Sequence, residues 1–514
     1  MKSSLMMALL VTATSACTVV PTGPGSVATG GGSGTSSGIG TTSATGGLLP
    51  QGSMCVDGVD CATGLCADGF CCNLACTGVC EACSAAETGV ANGQCAPAPG
   101  AACPGSCDDG IETAAGTCNA SGVCIGATTE CSPYTCGDSA CNTSCKLDGD
   151  CNAANFCWTS QCVHLTGLST AIDHTCAVTS AGGVQCWGGA FGNGAASPSG
   201  IPIAVSGLSA SALAVSGGHG HACAVTSAGA VQCWGYNNSG QLGNNSTTDS
   251  PMPVMVSGLS SGAAAVASGD SHACALTTVG SVYCWGRNTD GQLGDNSTVD
   301  SLVPVPVTGL GSGVTAIALG DNYGCAVTSL GGVKCWGANG GYQLGNDAVS
   351  HSLVPVAVTG LSSSISDVVA GSLHTCALTS GGGVLCWGFN GEGQLGNDST
   401  TSSPTPVAVM GLSSGVIAIA AGGMHTCANT TAQGMKCWGS NSKGELGNGS
   451  FTDSYVPVDV ARLSSGVVAI SAASGSTCML GASGRVKCWG WNEFGQLGNN
   501  SMVDSPVPVD VLEP

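Results

Sequence analysis

Pairs of cysteines ten residues apart recur along the chain: Cys176 and Cys186, Cys223 and Cys233, Cys274 and Cys284, Cys325 and Cys335, Cys376 and Cys386, Cys427 and Cys437, Cys478 and Cys488. The first step is 47 residues and every later one is 51. Seven copies at one internal period constrain the fold more than any other feature. Units of this length bury their faces against neighbouring copies, as a solenoid or as a propeller.

The unit that begins at Val303 decides between the two. It holds four short β-rich stretches, Val303–Val307, Val314–Leu319, Cys325–Thr328 and Val333–Trp336, and the last two flank Ser329-Leu330-Gly331-Gly332, a hairpin signal. Four strands per unit, seven times over, is the make-up of an all-β, seven-bladed propeller. Stretches that look like Val305-Pro306-Val307-Thr308-Gly309-Leu310 number eight, from Val163-His164-Leu165-Thr166-Gly167-Leu168 to Val509-Asp510-Val511. One copy more than there are blades predicts that the C-terminal strand returns to complete the first blade, leaving no open sheet edge. Within a unit the two cysteines are equidistant from the turn, as Cys176 and Cys186 are from Ala181. That spacing suits a cross-strand disulfide, each closing a loop of about 11 residues and stabilising by roughly 2–3 kcal/mol. The alternative is a free buried thiol serving as a small apolar residue.

The remainder of the chain falls into three parts, which places the propeller at 163–514. Residues 55–162 carry twenty cysteines with almost no aromatic residues, too little to build an apolar core, so disulfides must staple this small module. Zinc is the rival, since Cys80 and Cys83 have ligand spacing, but the stretch contains no His. Connectivity among twenty cysteines cannot be read from sequence. Residues 18–54 are uncharged, and 24 of the 37 are Gly, Ser or Thr, the composition of a flexible tether. Residues 1–17 read as an export signal, Lys2 followed by the apolar run Leu5–Val11. The 35 cysteines of the chain agree with an oxidising, exported location. The signal ends in Thr14-Ser15-Ala16-Cys17, which resembles a bacterial lipoprotein signal except at Thr14, where Leu is usual. Cys17 is also the odd cysteine, twenty and fourteen being even. Lipidation of Cys17 at the outer membrane is the expectation, with ordinary cleavage after Ala16, a free or intermolecularly paired thiol and an extracellular location as the alternative.

Gly269-Asp270-Ser271-His272-Ala273-Cys274-Ala275-Leu276 and Cys284-Trp285-Gly286-Arg287-Asn288-x2-Gly291-Gln292-Leu293-Gly294 resemble the repeats of the regulator of chromosome condensation family, whose fold is a seven-bladed β-propeller. The resemblance covers about 350 residues and departs from the family at the Cys of each His-x-Cys, where an aliphatic residue is usual. Kelch-type propellers share the period, but the Trp-Gly-x-Asn-x2-Gly-Gln-Leu-Gly string favours the first family. The founding member of that family promotes guanine-nucleotide exchange and binds chromatin. Here the uniform 51-residue steps leave no inserted wedge for exchange, which makes this the weakest reading.

Charge excludes other partners. Nine Lys and Arg stand against 30 Asp and Glu, a net charge of −21, so there is no basic surface for nucleic acid. No pair of carboxylates, nucleophile with its base or phosphate-cradling glycine loop stands out, so no catalysis and no cofactor are expected. His174, His221, His272, His374 and His425 recur two residues before the first cysteine of their units, with Tyr323 and Ser476 in the other two. Equivalent positions on different blades are expected to be far apart, so these read as one repeated structural hydrogen bond rather than a metal site. The seven Trp after the second cysteine read as blade packing, and strings such as Asn397–Thr400 as turn caps rather than calcium ligands.

Two readings of function remain: a monomeric protein-binding module such as a receptor, adhesin or inhibitor, touching membrane only through its lipid, or a passive structural envelope protein. The repeats act as their own control. Positions alike in all copies hold the blade, and positions that differ are open to specialisation. The residue after Trp-Gly is Gly189, Tyr236, Arg287, Ala338, Phe389, Ser440 and Trp491 in successive units. Aromatic residues and Arg dominate interface hot spots, and the last unit adds Glu493 and Phe494 in the same turn. Tyr236, Arg287, Phe389, Trp491, Glu493 and Phe494 are therefore the candidate partner-binding residues, with packing between blades as the alternative. For the anchor, labelling cells with radioactive palmitate should mark the wild type and leave Cys17→Ala unlabelled; an unlabelled wild type contradicts the lipidation.

Overall fold

The computed structural model describes residues 161–512 apart from 190–197 and 433, together with Cys151 and the backbone of short strands between residues 66 and 158. Cys17, the 18–54 tether and most of the Cys-rich stretch lie outside the described residues. Two compact units divide the chain, Met1–Cys131 with Cys136–Cys141, and Ser132–Thr135 with Asn142–Pro514. The first contains short antiparallel ribbons, such as Ser106–Asp108 against Ile111–Thr113 and that strand against Thr128–Glu130. In the second, a disulfide joins Cys151 to Cys162.

The second unit is a seven-bladed β-propeller, with seven four-stranded sheets each ordered as a simple antiparallel meander. In the fourth blade the strands are Val314–Leu319, Tyr323–Thr328, Val333–Gly337 and Ser352–Ala357. The second and third strands are covered on both faces, and so read as unbroken runs of Cys, Ala and Val rather than as an alternating pattern. The fourth strands are partly exposed and rich in Pro, which lacks an N–H to donate and blunts the outer edge against further pairing.

This frame corrects the reading of the repeat. Val303–Val307 is not the start of a blade; it belongs to the outer strand Ser301–Pro306, which pairs with Val282–Gly286 of the preceding sheet. The resemblance at Val163–Leu168 is one of local composition. Leu168 precedes its cysteine by 8 residues and Leu310 by 15, and Leu165–Thr170 is the innermost strand of the first blade. The C-terminal strand Ser505–Asp510 pairs within the seventh blade, Cys488 opposite Val509. The ring therefore closes without strand exchange. At the seam Val163, Leu165 and Trp187 pack on Leu480, Val486 and Leu497, and Thr170 N donates to Ser471 Oγ at 2.9 Å.

Both cysteines of each unit lie directly opposite on the second and third strands, with Cα atoms 4.0–4.1 Å apart, and all seven pairs are disulfide-bonded. Between blades the recurring contact is a tryptophan. Trp285 Nε1 donates to the backbone carbonyl of Gln241 in the preceding blade at 2.9 Å, and the same bond joins Trp336 to Gln292, Trp387 to Gln343, Trp438 to Gln394 and Trp489 to Glu445. Trp187 to Gln496 repeats it across the seam. The carbonyl is held in place by its own turn. Asn288 Oδ1 accepts the N–H of Leu293, while Asn288 Nδ2 donates to Val299 O in the following loop. Gly294 (φ +65°) closes the turn, and a Cβ there would lie 2.9 Å from the Trp336 ring.

Asn390 performs the same task in the fifth blade, accepting from Leu395 N and donating to Ser399 O and Thr401 O, which is how the Asn397–Thr400 string is used. Asn390→Ala leaves the buried Leu395 N–H without its partner and frees the part-buried Ser399 and Thr401 carbonyls, and should cost roughly 2 kcal/mol, most of it from the buried N–H. Urea unfolding of wild type and variant measures this.

Candidate functional site

In a four-stranded meander, the first and third connections emerge at one end of the blade and the second at the other. At the first end the short turns between strands one and two of all seven blades meet around the central axis and line a cavity of about 100 Å³. The residue after each Trp-Gly is tied to the same turn. Tyr236 N donates to Gly220 O, Arg287 N to Ser271 O, Phe389 N to Leu373 O and Trp491 N to Gly475 O, at 2.7–2.9 Å. Four residues from four blades thus surround one mouth.

Tyr236 is 53% exposed, Arg287, Phe389, Trp491 and Phe494 are half-buried, and Glu493 is exposed. Trp491 and Phe494 meet edge to face with ring centres 5.4 Å apart. None of the six belongs to the clusters between blades, whose large members are the Trp of each Trp-Gly and the Leu of each Gln-Leu-Gly. Sequence reasoning missed a second set at the same end. Val299, Val349, Phe451, Met502 and Val503 are exposed apolar residues in the longer connection between strands three and four. The signal was available, because their positions vary between copies as the residue after Trp-Gly does.

The mouth has its own chemistry. Its wall at equivalent positions is Ile172, His219, Asp270, Asp321, Ser372, Gly423 and Ser474. His219 Nδ1 lies 2.7 Å from Asp270 Oδ1; that hydrogen bond raises the imidazole pKa and lowers the carboxyl. Burial raises the pKa of Asp321, partly offset by a hydrogen bond from Ser372. Among the described residues no group of three His, Cys, Asp or Glu is placed to hold a metal.

Charge is segregated along the axis. Of the described Lys and Arg of the propeller, only Arg287 and Lys443 lie in connections at the mouth end, and Lys443 is 3.5 Å from Asp504. Lys334, Lys436, Arg462, Arg485 and Lys487 lie on strands or in connections at the other end. The carboxylates do the reverse. Apart from Asp367, Asp459 and Asp510 on strands, every described Asp and Glu of the propeller is in a mouth-end connection.

The recurring histidines form a fully buried belt and correct two expectations. His374 Nε2 lies 2.9 Å from Thr426 Oγ1 of the next blade and His425 Nε2 lies 2.8 Å from Thr477 Oγ1, but the bond is not general. After His221 and His272 the next blade offers Ala273 and Gly324 in place of Thr, and no hydroxyl meets the ring. Nor are the rings mutually remote. Burial, helped by neighbouring His174 and His272, pushes His221 down to about 3; burial alone takes His425 to about 4.

A family model described as an RCC1-like domain matches residues 189–513. The ultraviolet-B receptor UVR8 of Arabidopsis thaliana is 33% identical over 281 residues, which are 54% of this chain and 64% of the receptor. A mitochondrial RCC1 domain-containing protein of the same plant, RUG3, is 32% identical over 251 residues, 46% of this chain and 55% of its own length. The chain thus spans less than two thirds of these curated relatives. Among solved structures, Prp20p of Saccharomyces cerevisiae, described with its binding to Gsp1p and histones, superposes with a TM-score of 0.58 at 21% identity, covering 68% of this chain and 88% of that one. Human WBSCR16 gives a TM-score of 0.56 at 24% identity, over 62% of this chain and 87% of its own.

The belt makes stability depend on pH. Its rings titrate near 6.5 when unfolded, whereas in the fold burial holds His221 and His374 near 3 and His272 and His425 near 4. The unfolded chain takes up protons first, so this contribution is complete above the unfolded value and is lost as pH falls from 6.5 toward 3. Asp367, pushed up to about 6 by burial, acts in the opposite sense between its unfolded value and 6. The belt should therefore make the urea midpoint fall as pH drops below about 6.5, while His219, raised by its bond to Asp270, takes some stability away as pH rises above that value; a midpoint that holds or rises on acidification below 6.5 contradicts the neutral belt.

Proposed function

The chain belongs to the RCC1-like domain family, and from that premise we propose that it is a non-enzymatic protein whose propeller binds another protein through the mouth end. The observation that carries this reading is the contrast between scaffold and surface. Asn288, Gln292 and Leu293 have near-identical counterparts in five other blades and Trp285 in all six, while the positions they support present Tyr236, Arg287, Phe389 and Trp491 at one end. Chemically unlike side chains on alike supports form a single asymmetric surface, which suits one specific partner rather than a repeating coat. The types present are those that anchor protein interfaces. Relatives described by what they bind, such as Prp20p with Gsp1p and histones, point the same way.

The same proposal places the protein outside the cytosol. Seven disulfides between adjacent strands belong to an oxidising compartment. Cys17 would hold the chain to the cell envelope through its lipid, with 18–54 spanning roughly 35 Å as a flexible tether.

The full chain serves as bait for envelope and culture proteins. Replacing Tyr236, Phe389 and Trp491 together by Ala should abolish capture of a saturable partner while shifting Tm by no more than about 2 °C. Val279→Ser with Leu330→Ser, on exposed turns at the other end, should leave capture intact. Capture unaffected by the first variant overturns the mouth-end reading, and a large fall in its stability would assign those rings to the core.

A further inference from the structure

We propose that the partner presents a basic surface and that one of its lysine or arginine side chains enters the mouth beside Asp270 and Asp321. This rests on the protein-binding reading above and adds the chemistry of the partner.

Three observations converge on it. Charged residues are scarce in this chain, yet their placement is one-sided: carboxylates gather in the mouth-end connections while Lys334, Lys436 and Lys487 sit away from them. A segregated field of this kind steers a partner of opposite charge and rejects one of like charge. Second, the cavity at the centre holds two carboxylates side by side. Asp270 and Asp321 are on adjacent blades, with Asp270 N donating to Asp321 O at 3.2 Å. His219 answers one of them, and Asp321 has only the Ser372 hydroxyl as its hydrogen-bonding side chain. The far wall, Ile172, Gly423 and Ser474, supplies no charge, and about 100 Å³ accommodates an ammonium or guanidinium head with a little water. Third, the same end exposes apolar side chains in the connections between strands three and four, Tyr236, Val299, Phe451 and Val503, which suit apolar neighbours of such a side chain on the partner. The two cations at this end do not fill the role: Arg287 Nε donates to Thr289 Oγ1 in its own turn, and Lys443 faces Asp504.

The test uses the full chain and two fluorescent probes, a peptide of lysines and one of glutamates of equal length, at about 20 mM and about 200 mM salt. The lysine peptide should bind, more weakly at the higher salt, and the glutamate peptide should not. Asp270→Asn with Asp321→Asn should weaken lysine-peptide binding about tenfold or more, whereas Asp459→Asn with Asp510→Asn should leave it unchanged. Should the mouth variant fold poorly, Asp321→Ser replaces it, since Ser stands at that position in the next blade. Equal binding by the mouth and control variants, or none to the lysine peptide at low salt, overturns the inference. Protein capture separates it from its premise. Capture that is lost with the Tyr236, Phe389 and Trp491 alanines but survives mouth neutralisation and high salt leaves the binding face standing and removes the basic partner.

Discussion

The propeller depends on one bond repeated at six of its seven blade junctions, from a buried indole N–H to the backbone carbonyl of the Gln or Glu in the preceding blade; Trp234 of the second blade finds no such partner among the described residues. A tryptophan buried without a partner for its N–H would carry a desolvation cost, and a carbonyl buried beneath it would do the same, so each satisfies the other. The bond works only if the carbonyl is aimed, and that explains the rest of the repeated string. The Asn side chain fixes the turn from both sides, the Leu fills the gap beneath the ring, and the Gly lets the backbone approach the indole. Because the first and seventh blades meet through the same contact, Trp187 on Gln496, the ring needs no exchanged strand.

Disulfides add to this from within each blade. They cross-link the two strands that are buried on both faces, where small side chains let neighbouring sheets come close. With the interior held by the tryptophan contact and the sheets held by cross-links, the side chains around the mouth are released from structural duty, and they are where the copies diverge.

Much of this was legible in the sequence. The period, the hairpin signal and the equal spacing of the cysteines about their turn specify blade, ring and pairing, because each reports a local geometry. Which strand begins a blade was not legible, since strands of similar composition occur at its inner and outer edges and only distance to the cysteine separates Leu168 from Leu310. The belt was misjudged for a related reason. Whether His221 or His374 finds a hydroxyl depends on the residue 52 positions later, in a different blade, and spacing within one unit carries no information about it. Of the proposed binding face, Tyr236, Phe389 and Trp491 could be picked from variation among copies. The mouth could not, because His219, Asp270 and Asp321 become neighbours only when the ring closes.

The central claim is that one end of a uniform scaffold is specialised to meet another protein. A photo-crosslinking amino acid placed at Tyr236 in one strain and at Leu330 in another, with both illuminated in intact cells, tests it most directly. The account predicts a discrete protein adduct from position 236 and none from 330. Adducts of equal yield from both ends, or from 330 alone, would contradict it.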